Sequence, residues 1–304
     1  MNTYLAVAVA VALSLAHRPV SLGATSAQRS TFSAKSELVV LHVLVRDHRG
    51  AYVGGLQQRA FSVYEEQQPR PIKFFLSEDA PVTIGLLIDS SGSMAPVRDR
   101  VIAASAAFIE SSNSRDEVFV LVFNDTVHPV LEPSAPFTGD VRVLRRALTD
   151  VFAPAGRTAL YDAIDSGLRY VRHGSRERHA LVVLSDGGDN ASHTGFAATL
   201  AAARASNAIV YTVALVSPSN DIADPDRLAK FAETSGGTAF VPADIAGVEQ
   251  AFQQISLDLR HRYTIGYERA AGGRPGFHRI HVDVRGPDGR KLVTRTREGY
   301  DASS

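Results

Sequence analysis

The sequence predicts an α/β protein with a doubly wound, mostly parallel sheet. A small β-sandwich-like domain, formed by the flanking N- and C-terminal strands, is expected beside it. Three observations carry this expectation. Between residues 80 and 260, apolar runs of strand length alternate with helical patterns, as repeated βα units require. On either side, short stretches alternate apolar and polar residues with no helical pattern, the mark of half-buried antiparallel strands. The 304 residues are 45% apolar, enough for one large domain and a smaller one.

Met1–Ala27 reads as a signal peptide. Leu5–Leu15 is apolar apart from Ser14, too short to span a membrane and suited to a signal core. Ser14-Leu15-Ala16 and Thr25-Ser26-Ala27 are candidate cleavage sequences, and no Lys or Arg precedes the apolar core. The expectation is an exported chain, periplasmic or extracellular, with no membrane span once processed.

Residues 35–79 supply the first part of the β domain. Glu37–Arg46 sets Val39, Leu41, Val43 and Val45 on one face. Asp47-His48-Arg49-Gly50 is a turn. Phe61–Glu65 and Ile72–Leu76 are the next strands, with Gln67–Pro71 and its two prolines as the loop between them. Three strands are too few for a stable stand-alone sandwich, so they need a partner.

In the α/β part, Val82–Ile88 is an apolar run buried on both faces and ends at Asp89. A helix covers Val97–Ser111. Val118–Phe123 is a strand and Thr126–Leu131 an antiparallel edge. Helices cover Asp140–Val151 and Leu160–Val171, separated by Ala153-Pro154-Ala155-Gly156. His179–Ser185 is a strand, Thr194–Ser206 an Ala-rich helix, and Ile209–Leu215 a strand. Pro225–Ser235 is a helix stopped by Gly236-Gly237. Thr238–Val241 is the last short strand, and Ile245–Arg260 the closing helix.

Residues 261–300 return to β structure. Arg262–Tyr267 is a strand. Ile280, Val282 and Val284 alternate with Arg279, His281 and Asp283. Gly286-Pro287-Asp288-Gly289 is a hairpin turn into Lys291–Arg297. The economical arrangement is one β domain built from both ends, with the α/β domain inserted into it.

Composition and motifs exclude several functions. Lys plus Arg and Asp plus Glu are equal at 32 each, which argues against nucleic acid as a partner. The absence of cysteine removes disulfides and thiol chemistry. The His residues show no H-E-x-x-H spacing, and there is no phosphate-binding glycine loop and no G-x-S-x-G turn.

One stretch points to a site. Asp89-Ser90-Ser91-Gly92-Ser93 follows the buried strand Val82–Ile88, and open α/β sheets bind ligands at the carboxyl ends of their strands. Asp89, Ser91 and Ser93 offer oxygen donors, which suit a hard divalent cation such as Mg²⁺. Two later stretches stand at comparable places. Gly156-Arg157-Thr158-Ala159-Leu160-Tyr161-Asp162-Ala163 leads into a helix. Leu181-Val182-Val183-Leu184-Ser185-Asp186-Gly187-Gly188 ends an apolar strand. Singly, each is a turn or a cap.

Together and in this order, they resemble the metal-ion-dependent adhesion site of von Willebrand factor A domains, whose fold is Rossmann-like. The resemblance covers Ala80 to Leu259. It implies Mg²⁺ or Mn²⁺ held directly by Ser91, Ser93 and Thr158, with Asp89 and Asp186 bound directly or through water. It further implies an open position that accepts an acidic side chain from a partner protein, hence a role in protein binding or cell adhesion. Asp189 and Asn190 stand close enough in sequence to join the site, although a polar turn explains them as well. Asp162 is a helix residue, and Tyr161 and Arg157 flank the site.

The ends of the chain also resemble a bacterial, acidobacterial-type subgroup of von Willebrand factor A-related proteins. The residues concerned are Val45–Gly50 with Phe61-Ser62-Val63, and Tyr263-x-x-Gly266-Tyr267 with Arg297-Glu298-Gly299-Tyr300.

Two other functions compete. One is a structural or assembly protein whose cation only braces three loops. The other is a metal-dependent phosphohydrolase with Asp89 as nucleophile. No His or Lys lies in Asp89–Met94, Gly156–Tyr161 or Ser185–Asn190, and Arg157 stays protonated and is no base. The expectation is therefore a binding module and not an enzyme.

Overall fold

The computed structural model describes residues 37–77, 79–215, 223–269 and 275–302. The signal-peptide segment lies outside the described residues. The described residues all fall within one compact unit.

The described residues open with four strands, β1 (Glu37–Arg46), β2 (Phe61–Glu65), β3 (Gln68–Arg70) and β4 (Ile72–Leu76). The α/β part follows as β5 (Val82–Asp89), α1 (Arg98–Glu110), β6 (Glu117–Phe123), β7 (Val127–Pro129), α2 (Val141–Val151) and α3 (Leu160–Tyr170). It continues with β8 (Arg178–Ser185), α4 (Phe196–Ala205), β9 (Ile209–Ala214), α5 (Pro225–Ser235), β10 (Ala239–Phe240) and α6 (Ile245–Arg260). The chain closes with β11 (Arg262–Arg269), β12 (Gly276–Val284), β13 (Val293–Arg295) and β14 (Gly299–Ala302).

The central sheet has six strands in the order β10-β9-β8-β5-β6-β7. All its pairings are parallel except the β6–β7 edge. Every residue of β5 is buried. That follows from its position, with β6 and β8 on its two sides and helices over both faces. On one face Ile84, Leu86 and Ile88 meet Phe108, Leu144, Phe252 and Ile255 of α1, α2 and α6. On the other, Leu87, Leu181 and Val183 meet Ile164, Leu200 and Phe231 of α3, α4 and α5.

The flanking strands build two four-stranded sheets, β13-β1-β11-β4 and β14-β12-β2-β3. Each contains strands from both ends of the chain. β1 pairs antiparallel with β11 from Glu37↔Arg269 to Leu44↔Arg262, and β2 pairs with β12. The alternation read from sequence sets the core. Leu41, Val43 and Val45 face Val63, Tyr263, Ile265, Val282 and Val284 in one apolar cluster.

Three local expectations need correction. Gln67–Pro71 is not simply a loop, because Gln68–Arg70 forms β3 on β2 through a two-residue turn at Glu66 and Gln67. Both turn residues have positive φ, 49° and 65°, without the glycine that normally marks such turns. Pro69 is tolerated because β3 is an edge strand, and Pro71 lies between β3 and β4. Gly286–Gly289 does reverse the chain, with Arg285 bridged to Lys291, but β13 then leaves β12 and pairs with β1 in the other sheet. Finally, Gly92–Val97 forms a 3₁₀ segment before α1 begins at Arg98.

Polar side chains join the α/β part to the β sheets. Asp258 of α6 is fully buried and accepts from Arg46 Nη2 at 2.7 Å and Tyr52 Oη at 2.5 Å. Buried Arg262 donates to Tyr211 Oη at 3.0 Å, Gly236 O at 2.8 Å and His42 O at 3.1 Å. His42 is itself buried, and that burial, with Arg178, Arg262 and Arg297 nearby, lowers its pKa to about 3.

Candidate metal centre

Strand order reverses beside β5. The connection through α1 leads to β6 on one side, and the later βα units build β8, β9 and β10 on the other. Such a reversal opens a crevice at the carboxyl ends of the strands. Asp89 is the last residue of β5, and Asp186 directly follows β8. Parallel register aligns Ile88 with Leu184, so the chain places these carboxylates on adjacent strand ends.

The first and third loops are joined by side chains. Ser93 Oγ donates to Asp186 Oδ2 at 2.8 Å, and Ser91 Oγ lies 3.0 Å from Ser93 Oγ. Asp89 Oδ1 accepts the Ser91 N–H at 2.8 Å. Its Oδ2 accepts from Ser185 Oγ at 2.6 Å. Asp89, Ser91 and Asp186 are buried, while Ser93 is exposed at the mouth.

The second loop is fastened to both. Gly92 N–H donates to Gly156 O at 3.2 Å, and Ala155 N–H to Ser90 O at 2.9 Å. Thr158, buried to 3% exposure, donates its N–H to Asn190 Oδ1 at 2.8 Å. Asn190 and Ala191 return N–H groups to Thr158 O, each at 3.0 Å. Thr158 is therefore tied to the third loop through backbone, and its loop to the first.

Two glycines permit these paths. Gly156 (φ 79°) and Gly187 (φ 87°) are in the left-handed region, where a Cβ is strained. A Cβ at Gly156 would collide with the Asp125 carboxylate, and one at Gly187 with the Asp224 carbonyl.

The electrostatics of Asp89 are those of a buried carboxyl. Burial pushes its pKa up to about 6, hydrogen bonds from Ser185 and Ser91 oppose this, and the nearby charge of Asp186 adds to the rise. Asp89 makes no ion pair among the described residues. A buried ionised carboxylate needs a compensating charge. Two carboxylates with two serine hydroxyls are an all-oxygen donor set, which fits a hard divalent cation, and Thr158 is fastened to the third loop through its backbone. Among the described residues no three His, Cys, Asp or Glu side chains gather in a metal-holding group, so a site here depends on hydroxyls.

Neighbouring residues have structural duties. Asp189 Oδ1 accepts from Ser192 Oγ at 2.5 Å and Tyr161 N–H at 3.3 Å, and Asn190 holds Thr158. Asp162, in α3, accepts N–H groups from His193 and Thr194. Burial pushes its pKa up, but those bonds prevail and hold it at about 2. Tyr161 Oη accepts from Arg227. Arg157 is exposed and paired with Asp125 at 2.8 Å.

Sequence reasoning missed Ser185 and Asp125. Ser185 matters only because register places it beside Asp89. Asp125 reaches Arg157 through a loop contact 32 positions away, and no local pattern announces it.

Solved structures share this fold at low identity. A von Willebrand factor type A protein from Catenulispora acidiphila aligns with a TM-score of 0.51 and 14% identity, over 88% of this chain and 74% of its own. The PilB minor pilin from Streptococcus sanguinis aligns with a TM-score of 0.51 and 13% identity, over 64% of each chain. The present chain thus spans less than two thirds of that pilin. Likeness at this level concerns the fold alone. No curated protein matches the chain. The family model of the von Willebrand factor type A domain matches residues 83–254, more than half of the 304 residues, and the chain belongs to that family.

Proposed function

We propose that this protein is an exported, metal-dependent binding module that captures an acidic side chain of a partner protein. Ser91, Ser93 and Thr158 would hold Mg²⁺ or Mn²⁺ directly, with Asp89 and Asp186 direct or through water. The observation that carries the reading is the hydrogen-bonded run Ser91–Ser93–Asp186 beside uncompensated, buried Asp89. The bound cation supplies a Lewis-acidic position for a carboxylate oxygen. The chain's own part is to bury Asp89, to orient the hydroxyls, and to leave Ser93 exposed.

Export belongs to this reading through the apolar segment Leu5–Leu15. Among the described residues no helix is long and apolar enough to cross a membrane. The resemblance of the flank motifs, Tyr263-x-x-Gly266-Tyr267 and Arg297–Tyr300 among them, supports reading the chain as one of the acidobacterial-type subgroup. No hydrolytic role is proposed, because the only basic side chain in the three loops, Arg157, is occupied by Asp125 and serves as no general base. A purely bracing cation is the second reading, favoured by the meeting of the three loops at one place.

The test is calorimetric titration of the chain with Mg²⁺ and Mn²⁺, repeated with Asp89→Ala. Saturable binding that the substitution abolishes is expected. Equal affinity in the variant would sink the site. Titrating a glutamate-containing tripeptide into the loaded and the chelated protein then separates capture from bracing, since only capture gives cation-dependent peptide binding.

A further inference from the structure

We propose that the partner segment captured at the three loops carries a large apolar residue next to its acidic one. That apolar side chain seats in a concavity between α1 and the start of α6. The inference rests on the capture of an acidic side chain proposed for the three loops, and it names the kind of segment that fits there. The concavity measures ≈ 440 Å³, a volume in the range of ligand sites. Ser93 lines it and is also a proposed ligand of the cation, so the two positions are continuous. Consecutive residues of a chain lie about 3.8 Å apart. A residue adjoining the captured carboxylate is therefore brought beside the concavity.

The chain makes this opening where it leaves the strands. α1 and α6 pack on the same face of the central sheet. On one side, the 3₁₀ segment Gly92–Val97, with Pro96 inside it, carries the chain from Ser91 to the start of α1. On the other, Pro242 and Ala243 lead from β10 to Asp244, the N-cap of α6. Leu215, directly after β9, closes the lining between them. On the α6 side the lining includes Ala243 and Ala246, both exposed. A methyl group is too short to fill the space in front of Pro96 and Val97.

The more deeply placed lining residues are apolar and fixed. Met94 is 2% exposed and belongs to the core cluster beneath α1 and α6. Val97 and Leu215 are half-buried and pack against that same cluster. The apolar wall is thus held by the core before any partner arrives. An apolar occupant gains burial there without the cost of ordering the site.

The charges decide between occupants. Two lining side chains are charged, Arg100 and Asp244. Asp244 is engaged within the chain, since its Oδ1 accepts the Gly247 N–H at 2.9 Å and caps α6. Arg100 is exposed and makes no hydrogen bond or ion pair among the described residues. This free cation repels a basic side chain. The apolar wall penalises an amide or hydroxyl that would lose its water there. An apolar side chain meets neither cost, and the main-chain carbonyl of its residue matches the free N–H donors of Arg100.

The experiment is calorimetric titration of the full chain, in Mg²⁺ and in EDTA, with two end-capped tripeptides, Leu-Glu-Leu and Asn-Glu-Asn. Asn has nearly the shape of Leu without its apolar surface, and flanking on both sides serves either chain direction. Both peptides are expected to bind only with Mg²⁺, and Leu-Glu-Leu about tenfold more tightly, the scale of one buried apolar side chain. Filling the concavity from its exposed side, in Ala246→Phe or Ala243→Phe, should remove that preference and leave Mg²⁺ affinity unchanged. Thermal unfolding confirms that each variant is folded, and the comparison of the two peptides on the parent chain stands without them. Equal affinity of the two peptides in Mg²⁺ overturns this inference and leaves capture standing. A Leu preference that survives in the folded variants, or Leu-Glu-Leu binding undiminished by EDTA, overturns it as well. Absence of Mg²⁺-dependent binding by both peptides overturns capture itself, and this inference with it.

Discussion

Asp89 shows how one residue can link stability to binding. Its carboxyl is fully buried, and its pKa is raised from 3.8 to about 6. The folded state therefore holds a proton that the unfolded state has lost between those values. The sign follows: without cation, the stability from the neutral form is complete below the unfolded pKa. It is lost as pH rises through about 6, a change on the order of 3 kcal/mol. A bound cation reverses this preference by favouring the ionised form. Cation affinity should accordingly fall about tenfold per pH unit below pH 6, as read by calorimetry from pH 4.5 to 8. A flat profile would show that Asp89 is no part of the cation's environment. Asp89→Asn separates the two effects. At pH 8 in EDTA the variant should unfold at higher denaturant concentration than the parent, while cation binding is lost. A variant less stable than the parent in EDTA would contradict the uncompensated charge.

At the scale of elements, the site depends on how the chain leaves each strand. Gly187 turns the chain after Asp186 with φ 87° and packs against the Asp224 carbonyl. Gly187→Ala introduces both strain and a collision with backbone, so a loss of about 1–3 kcal/mol is expected. Because Gly188 N–H donates to Asp186 Oδ1 at 2.9 Å, cation affinity should fall with it. Denaturant titration and calorimetry on the same variant check both, and unchanged values would relieve Gly187 of this role. The legible elements were those whose local pattern and tertiary place agree. β5 reads as a buried run and is one, and Pro225–Ser235 carries its own start and stop signals, including Gly236 at φ 82°. The turn at Glu66 and Gln67 was not legible, because it lacks Asn-Gly or Asp-Gly and is held by tertiary bonds to Arg279. The departure of β13 to the other sheet was hidden for a similar reason. A turn sequence encodes reversal, while the strand that receives the returning chain is chosen by packing. Of the candidate site, Asp89, Ser91, Ser93, Thr158 and Asp186 are proposed from three short stretches. Ser185 could not, since its bond to Asp89 exists only through the register of β5 and β8.

At the scale of the molecule, the apolar cores divide between two parts of the chain. The clusters on the two faces of the central sheet draw their members from residues 82 to 259. The sandwich cluster draws its members from residues 39–63 and 263–302. The contacts that join them are largely polar, at Asp258 with Arg46 and Tyr52, and at Arg262 with Tyr211 and Gly236. We infer domain boundaries near residues 80 and 260. A chain of residues 80–260 should then fold alone, because its core is complete without the flanks. It should also be weaker than the same domain in the whole chain. Excision removes Arg46 and Tyr52 and leaves the Asp258 carboxylate without its closest donors, at a cost of about 1–3 kcal/mol. Asp258→Asn in the excised domain should recover part of that loss, whereas in the whole chain it should destabilise by breaking the pair with Arg46. Urea unfolding of the four proteins forms a cycle whose signs are fixed in advance. A cooperative transition in the excised domain supports the boundaries. A non-cooperative one, or a substitution that acts with the same sign in both settings, would mean that the flanks are integral to the α/β core.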